Sequence, residues 1–142
     1  MKEAIVQPSL EAVIVDSQIP VPDAEEVIVK VVAIGLNPID WKGADPEVAL
    51  QLHGQLKTKP YANSGKDVAG YVHAVGEYLL LLTADGIVTC WLGSKVHEFK
   101  LGDRVQATNH GSGFAEYSVA PRHTTYILPD SVSFEGMSSS GC

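Results

Sequence analysis

Gly65-Lys66-Asp67-Val68-Ala69-Gly70-Tyr71-Val72-His73-Ala74-Val75-Gly76 reads as a β-strand closed by a turn. Small and β-branched apolar residues dominate it, and its glycines stand where strands bulge. Ser94-Lys95-Val96-His97-Glu98-Phe99-Lys100-Leu101-Gly102-Asp103-Arg104-Val105 reads as its continuation, with a Gly102-Asp103 turn, local pairing by Arg104, and entry into a second strand. Between the two lies Glu77–Gly93, where Leu79–Leu82, Val88, Cys90 and Trp91 are apolar for a solvent loop.

Working outward, Ala4-Ile5-Val6 and Leu10–Val15 read as short strands, followed by a turn at Pro20-Val21-Pro22-Asp23. Val27–Leu36 is the strongest strand, because its length and β-branched content argue against a helix. Pro38 opens a short helix with Asn37 as cap, and Pro46–Leu52 suits another. Gly102–Ala107, Gly113–Ala120 and Thr125–Pro129 complete the strands. Many short strands with turn signals between them predict an all-β barrel or sandwich.

The 142 residues allow one domain with a real core and leave no room for a second, nucleotide-binding one. A net charge of −7 without a Lys/Arg cluster argues against nucleic acid or an anionic membrane as partner. Nothing after Met1 resembles a signal peptide, and no apolar run approaches a membrane span. Two cysteines, Cys90 and Cys142, do not make a disulfide framework. The expectation is a soluble cytoplasmic domain.

Removing Glu77–Gly93 joins the text into GKDVAGYVHAVGSKVHEFKLGDRV. With Gly35–Lys42, Gly113–Tyr117 and Ile127–Asp130 in order around it, the chain resembles the N-terminal GroES-like domain of medium-chain dehydrogenases/reductases. The Asn-Pro-Ile-Asp-Trp-Lys text is similar to zinc-independent quinone oxidoreductases and fungal trans-acting enoyl reductases that serve polyketide synthases. The resemblance implies a mainly β fold, a GroES-like partly open β-barrel with short helices. It also implies hydride transfer from NADPH to an enoyl or quinone substrate, and a polyketide synthase as partner. In such enzymes a separate Rossmann-type domain holds the cofactor pyrophosphate, and no G-x-G-x-x-G strand-to-helix loop occurs here.

Zinc alcohol dehydrogenases carry cysteine at the Asn37 position and a His-Glu pair at Lys66-Asp67. Asn and Lys cannot replace thiolate and imidazole as zinc ligands, so no metal is expected. Of the five histidines, His110 in the loop 109–113 is the best placed for a cleft. Read from the residues alone, Asn37 caps a helix, Asp40 enriches its first turn, Lys42 is solvated and Trp41 is core. The resemblance instead implies that Asn37, Ile39, Asp40, Trp41 and Lys42 contact the cofactor. Lys42, fixed by Asp40, is then the catalytic candidate that binds a phosphate or ribose, or polarises a carbonyl. Lys66-Asp67 is expected to be a structural turn feature.

Residues 1–135 are expected to form the substrate-side domain, with 77–93 an atypical insert and 136–142 an atypical tail. The insert reads either as a partner-binding hairpin turning at Asp85-Gly86 or as a retained intron. Codons at Gly76-Glu77, Leu92-Gly93 and Gly136-Met137 are compatible with splice signals, and excision would restore the family text. On the resemblance the chain is a truncated reductase, inactive alone and with weak or no binding of NADPH by itself, because half the cofactor site is missing. The alternative is a non-catalytic binding module that uses Tyr78–Trp91 as its contact surface.

Overall fold

The computed structural model describes residues 1–7, 9, 11–38, 40, 63, 65–76, 96–109 and 111–138. Seven strands run through them: β1 Lys2–Val6, β2 Ala12–Asp16, β3 Glu26–Gly35, β4 Asp67–Val75, β5 Arg104–Thr108, β6 Tyr117–Pro121 and β7 Thr125–Ile127. A 3-10 turn, Arg122–Thr124, precedes β7, and helix α1, Phe134–Ser138, follows it. Pro38 and Asp40 are helical, as the proline at the first position predicts. The predicted helix Pro46–Leu52 and the insert 77–93 lie outside the described residues.

All pairings are antiparallel, and the main sheet runs β6-β3-β4-β5-β7. The β1–β2 hairpin joins its β6 side through the segment before β6: Ala4 N–H donates to Phe114 O at 2.7 Å and Glu116 N–H to Lys2 O at 3.0 Å. Val31 N–H in turn donates to Glu116 O at 3.0 Å. The strands therefore form one curled ribbon. Among the described residues no pairing returns β7 to β2, so the ribbon stays open. The expected mainly β fold is present.

The strand predicted over Gly113–Ala120 is split in two. Ala115 N–H folds back onto Gly113 O at 2.8 Å, a three-residue turn that kinks the chain at Phe114. Phe114–Glu116, at and just after the kink, pair with β1, and Tyr117–Pro121 pair with β3. Two register shifts bend the β3–β4 pair, between Ile28/Val29 and between Val31/Ala33. Beside the second, Gly70 lies so close to Lys30 that a Cβ would stand 2.1 Å from its carbonyl oxygen.

Alternation on β3, β4 and β5 sends Val27, Val29, Val68, Val72, Val105 and Ala107 into one core with Val96, Phe99 and Ala120. Val96 and Phe99 show that the chain re-enters this core directly after the insert. On the other face Ala69, Leu128 and Phe134 form a second cluster under α1.

Arg104 corrects a local expectation. The Gly102-Asp103 turn is present, with Gly102 at φ +86° and Asp103 Oδ2 accepting Lys100 N–H at 2.8 Å. Arg104, however, reaches across to Pro129 O at 2.6 Å and also donates to Val132 O. Its guanidinium lies 4.5 Å over the Phe134 ring, which meets Tyr71 edge-on. Beside the short turn, chain returning from β7 offers carbonyls and an aromatic face that only a long planar donor can reach at once.

Candidate functional site

The register places Gly35 opposite Asp67, and Asp67 opposite Thr108. The end of β3, the start of β4 and the end of β5 therefore meet at one edge of the sheet. Asn37 follows β3 by two residues, so the helical turn it opens sits over that edge.

Two reciprocal bonds hold this turn. Asp40 Oδ2 accepts Asn37 N–H at 2.9 Å, and Asp40 N–H donates to Asn37 O at 3.0 Å. Only the acidic half of a capping box is present: Asp40 reaches back to the Asn37 N–H, but the Asn37 carbonyl rather than its side chain accepts Asp40 N–H, so the expected Asn37 side-chain cap is not formed. The Asn37 side chain turns the other way, and its Nδ2 donates to Asp67 Oδ2. Asp67 Oδ1 accepts Thr108 Oγ1–H at 2.8 Å.

Asp40 and Asp67 are 4% and 2% exposed, so two carboxylates share a nearly dry site. Burial pushes the Asp40 carboxyl above the usual aspartate range, and the Asp67 charge adds to this. The Asn37 N–H bond and the nearby Lys66 charge work in the opposite direction. Asp40 Oδ1 is buried and has no hydrogen-bond partner among the described residues, an acceptor that suits a hydroxyl or amide donor from a ligand.

Next to this edge, the loop 109–113 is tied down. Asn109 Oδ1 accepts Gly111 N–H and Ser112 N–H at 2.7 and 3.0 Å, while Asn109 Nδ2 donates to Ser118 Oγ at 2.8 Å. Gly113 N–H donates to Gly65 O at 2.8 Å, closing the loop onto the start of β4.

The structure thus brings together Asn37 and Asp40, two of the residues read from the sequence. Ile39, Trp41, Lys42 and His110 lie outside the described residues. Among the described histidines, His73 stacks at a tilt on Tyr117, 4.7 Å between centroids, on the outer face of the sheet. Among the described residues no cluster of His, Cys, Asp or Glu is arranged to hold a metal ion.

Asp67 and Thr108 join the site without having been singled out. Asp67 was expected to be a turn residue and instead heads β4, fully enclosed. The usable signal was an acidic residue directly abutting an apolar strand, which has to find donors once the strand is buried.

A concavity of about 410 Å³ opens between the β1–β2 hairpin and β3, lined by Ala4, Ile14, Val32, Ile34 and Phe114 with Lys2, Glu3 and Glu116 at its polar side. It lacks the convergent buried polar groups of the Asn37–Asp67 edge. The contact surface of the alternative binding module, Tyr78–Trp91, lies outside the described residues.

The chain is similar to known proteins over most of its length. It is 35% identical to a quinone oxidoreductase of Lama guanicoe over 121 residues, covering 84% of this chain and 30% of that protein. It is also 35% identical to a trans-enoyl reductase of Gibberella fujikuroi over 139 residues, covering 95% of this chain and 33% of that one. A mycobacterial protein solved in complex with NADPH superposes with a TM-score of 0.66 at 27% identity, over 94% of this chain and 35% of its own. The chain spans about a third of the length of the curated relatives it matches. The alcohol dehydrogenase GroES-like domain matches residues 23–130. Strand order, the capped turn after β3 and these matches agree: the chain belongs to the alcohol dehydrogenase GroES-like domain family of the medium-chain dehydrogenases/reductases.

Proposed function

We propose that this chain is the substrate-side domain of an NADPH-dependent, zinc-independent reductase acting on an activated carbon–carbon double bond or a quinone. The observation that carries the reading is the Asn37–Asp67 hydrogen bond. The side chain standing where the resembled zinc enzymes place a thiolate is an amide already engaged with a carboxylate, so the pair is satisfied without a metal. Similarity to a quinone oxidoreductase and a trans-enoyl reductase supports the substrate class, an enoyl or quinone small molecule; a polyketide synthase as partner of the enoyl form rests on the resemblance of the Asn-Pro-Ile-Asp-Trp-Lys text alone.

The residues present fit a pyridine nucleotide. The buried Asp40 Oδ1, without a partner among the described residues, suits a hydroxyl or amide donor, and Asn37 stands half-exposed beside it. On this reading Asn37, Ile39, Asp40, Trp41 and Lys42 hold the nicotinamide end of NADPH. When bound, the cofactor supplies the hydride. Lys42 neutralises charge that builds on a carbonyl oxygen as hydride arrives, and the burial of Asp40 and Asp67 strengthens every polar contact by excluding water.

We assign residues 1–135 to this domain, 77–93 to an atypical insert and 136–142 to an atypical tail. The nucleotide-binding domain is not among these 142 residues, and the chain alone is inactive on this reading. The setting is cytoplasmic. Among the described residues no helix is long and apolar enough to cross a membrane.

The test is an NMR titration of the 15N-labelled chain with NADPH to millimolar concentration. Shifts concentrated at Gly35–Asp40 and Asp67 support the cofactor contact. Shifts concentrated elsewhere overturn it.

A further inference from the structure

A carboxamide has a donor end and an acceptor end, and what grips one end decides which end a ligand meets. Asp67 Oδ1 is occupied by the Thr108 hydroxyl at 2.8 Å, and Oδ2 accepts Asn37 Nδ2–H. An ionised carboxylate only accepts. Turning the Asn37 amide over would set its carbonyl oxygen against a carboxylate oxygen and break a charge-assisted bond. Asp67 cannot swing away to accommodate this, because it is 2% exposed and locked in the β3–β4–β5 register. The Asn37 backbone is equally fixed by Asp40 on both its N–H and its C=O. Among the described residues no donor reaches Asn37 Oδ1.

We propose that Asp67 is a positioning residue that sets the sense of the Asn37 amide, so that Asn37 meets its ligand as a hydrogen-bond acceptor and selects for a donor, a primary amide or a hydroxyl. The identity of the ligand rests on the reading of Asn37 as a ligand contact; the orientation does not. The donor has two sources, the nicotinamide carboxamide of NADPH and the hydroxyl of a reduced quinone.

The discriminating variant is Asp67→Asn. It is isosteric, and an amide at 67 can either accept from or donate to Asn37 while Thr108 adapts, so the fold is kept and the sense is freed. In 15N spectra of the full chain, the Asn37 side-chain protons should exchange about tenfold or more slowly than those of exposed asparagines. In Asp67→Asn they should lose that protection or split into two environments. Fast exchange in the native chain, or no change in Asp67→Asn, overturns the proposal. Where Asp67→Asn does not fold, exchange in the native chain alone decides. Separate titrations with NADPH and with 1,4-hydroquinone name the source: the true donor shifts Asn37 Nδ2 in the native chain and less in Asp67→Asn. If neither shifts it, ligand selection and the contact reading beneath it fall, whereas a protected, Asp67-dependent amide keeps the positioning role.

Discussion

Asn37 and Asp67 stand 30 residues apart in the chain, and the Asn37 side-chain amide donates to the Asp67 carboxylate across the ends of β3 and β4. On the resemblance to zinc alcohol dehydrogenases, Asn37 stands where those enzymes carry a cysteine ligand. The amide nitrogen has no available lone pair, Asn37 Oδ1 is a neutral oxygen rather than a thiolate, and the Asp67 oxygens already accept from Asn37 and Thr108. The purified protein should therefore carry no stoichiometric zinc. Elemental analysis giving one zinc per chain would contradict the site as described.

Asp40 makes a prediction with a definite sign. Burial raises its folded-state pKa above the unfolded value, so the folded protein binds this proton more tightly than the unfolded chain. Ionised Asp40 therefore weakens the fold at neutral pH, and the penalty is relieved as pH falls through the raised pKa toward the ordinary aspartate range. Asp40→Asn keeps an acceptor for Asn37 N–H and removes the buried charge. It should raise the unfolding midpoint at pH 7, with the gain shrinking to nothing below the ordinary aspartate pKa. A gain independent of pH, or a loss at pH 7, would show that Asp40 is held ionised by a partner.

The β-branched run of β3 and the apolar text of β4 declared themselves in the sequence, because alternation on a half-buried sheet is a local property. The Asn37 turn was legible in part for the same reason, since proline and acid lie within four residues, whereas the Asn37 side chain, read as its cap, goes to Asp67 instead. Asp67 was not legible. Its partners are 30 and 41 residues away, and only the β3–β4–β5 register makes a polar residue at that point affordable to bury. Arg104 misled for a related reason, since its partners lie 25 and 28 residues downstream.

Two glycines separate steric need from conformational need. A Cβ on Gly76 would stand 1.6 Å from the Asp23 carbonyl oxygen, inside a turn closed by Glu26 N–H on Asp23 O at 2.9 Å. Gly102 has open space around it and a φ of +86°. Gly102→Ala should cost about 1–2 kcal/mol from backbone strain alone, and Gly102→Asn less. Gly76→Ala forces backbone apart and should cost more, about 3 kcal/mol. Urea unfolding of the variants checks the order, and Gly76→Ala milder than Gly102→Ala would mean that the turn yields.

Arg104 ties the chain after β7 to the sheet, so its loss should be felt at α1. Phe134 is 8% exposed and packs on both Arg104 and Tyr71. Phe134→Ala should cost about 3–4 kcal/mol, as expected for a buried aromatic. Arg104→Met keeps the stem but frees two carbonyls that can turn to water, and should cost about 1–2 kcal/mol. The two losses should fall short of additive, because both residues hold the same segment. Strict additivity in a double-mutant cycle would show that they act independently.

The segment 77–93 leaves β4 at Gly76, at the opposite end of that strand from Asp67, about 30 Å away along a nine-residue strand. Before the segment, Gly76 N–H is held by Glu26 O at 2.8 Å; after it, Val96 and Phe99 are buried in the core. Both flanks are thus anchored by residues outside the segment. Loop-closure entropy changes slowly with length, so shortening the connection alters stability little. What deletion removes is Leu79–Leu82, Val88 and Trp91, an apolar run that promotes association when exposed. Deleting Glu77–Gly93 should raise solubility, sharpen thermal unfolding, and leave the Asn37 and Asp67 resonances in place. Changes should concentrate near Asp23–Glu26 and around the Arg122–Glu98 ion pair at 3.2 Å. Collapse of the dispersed amide spectrum on deletion would mean that the segment is packed structure, and the retained-intron explanation would then fail.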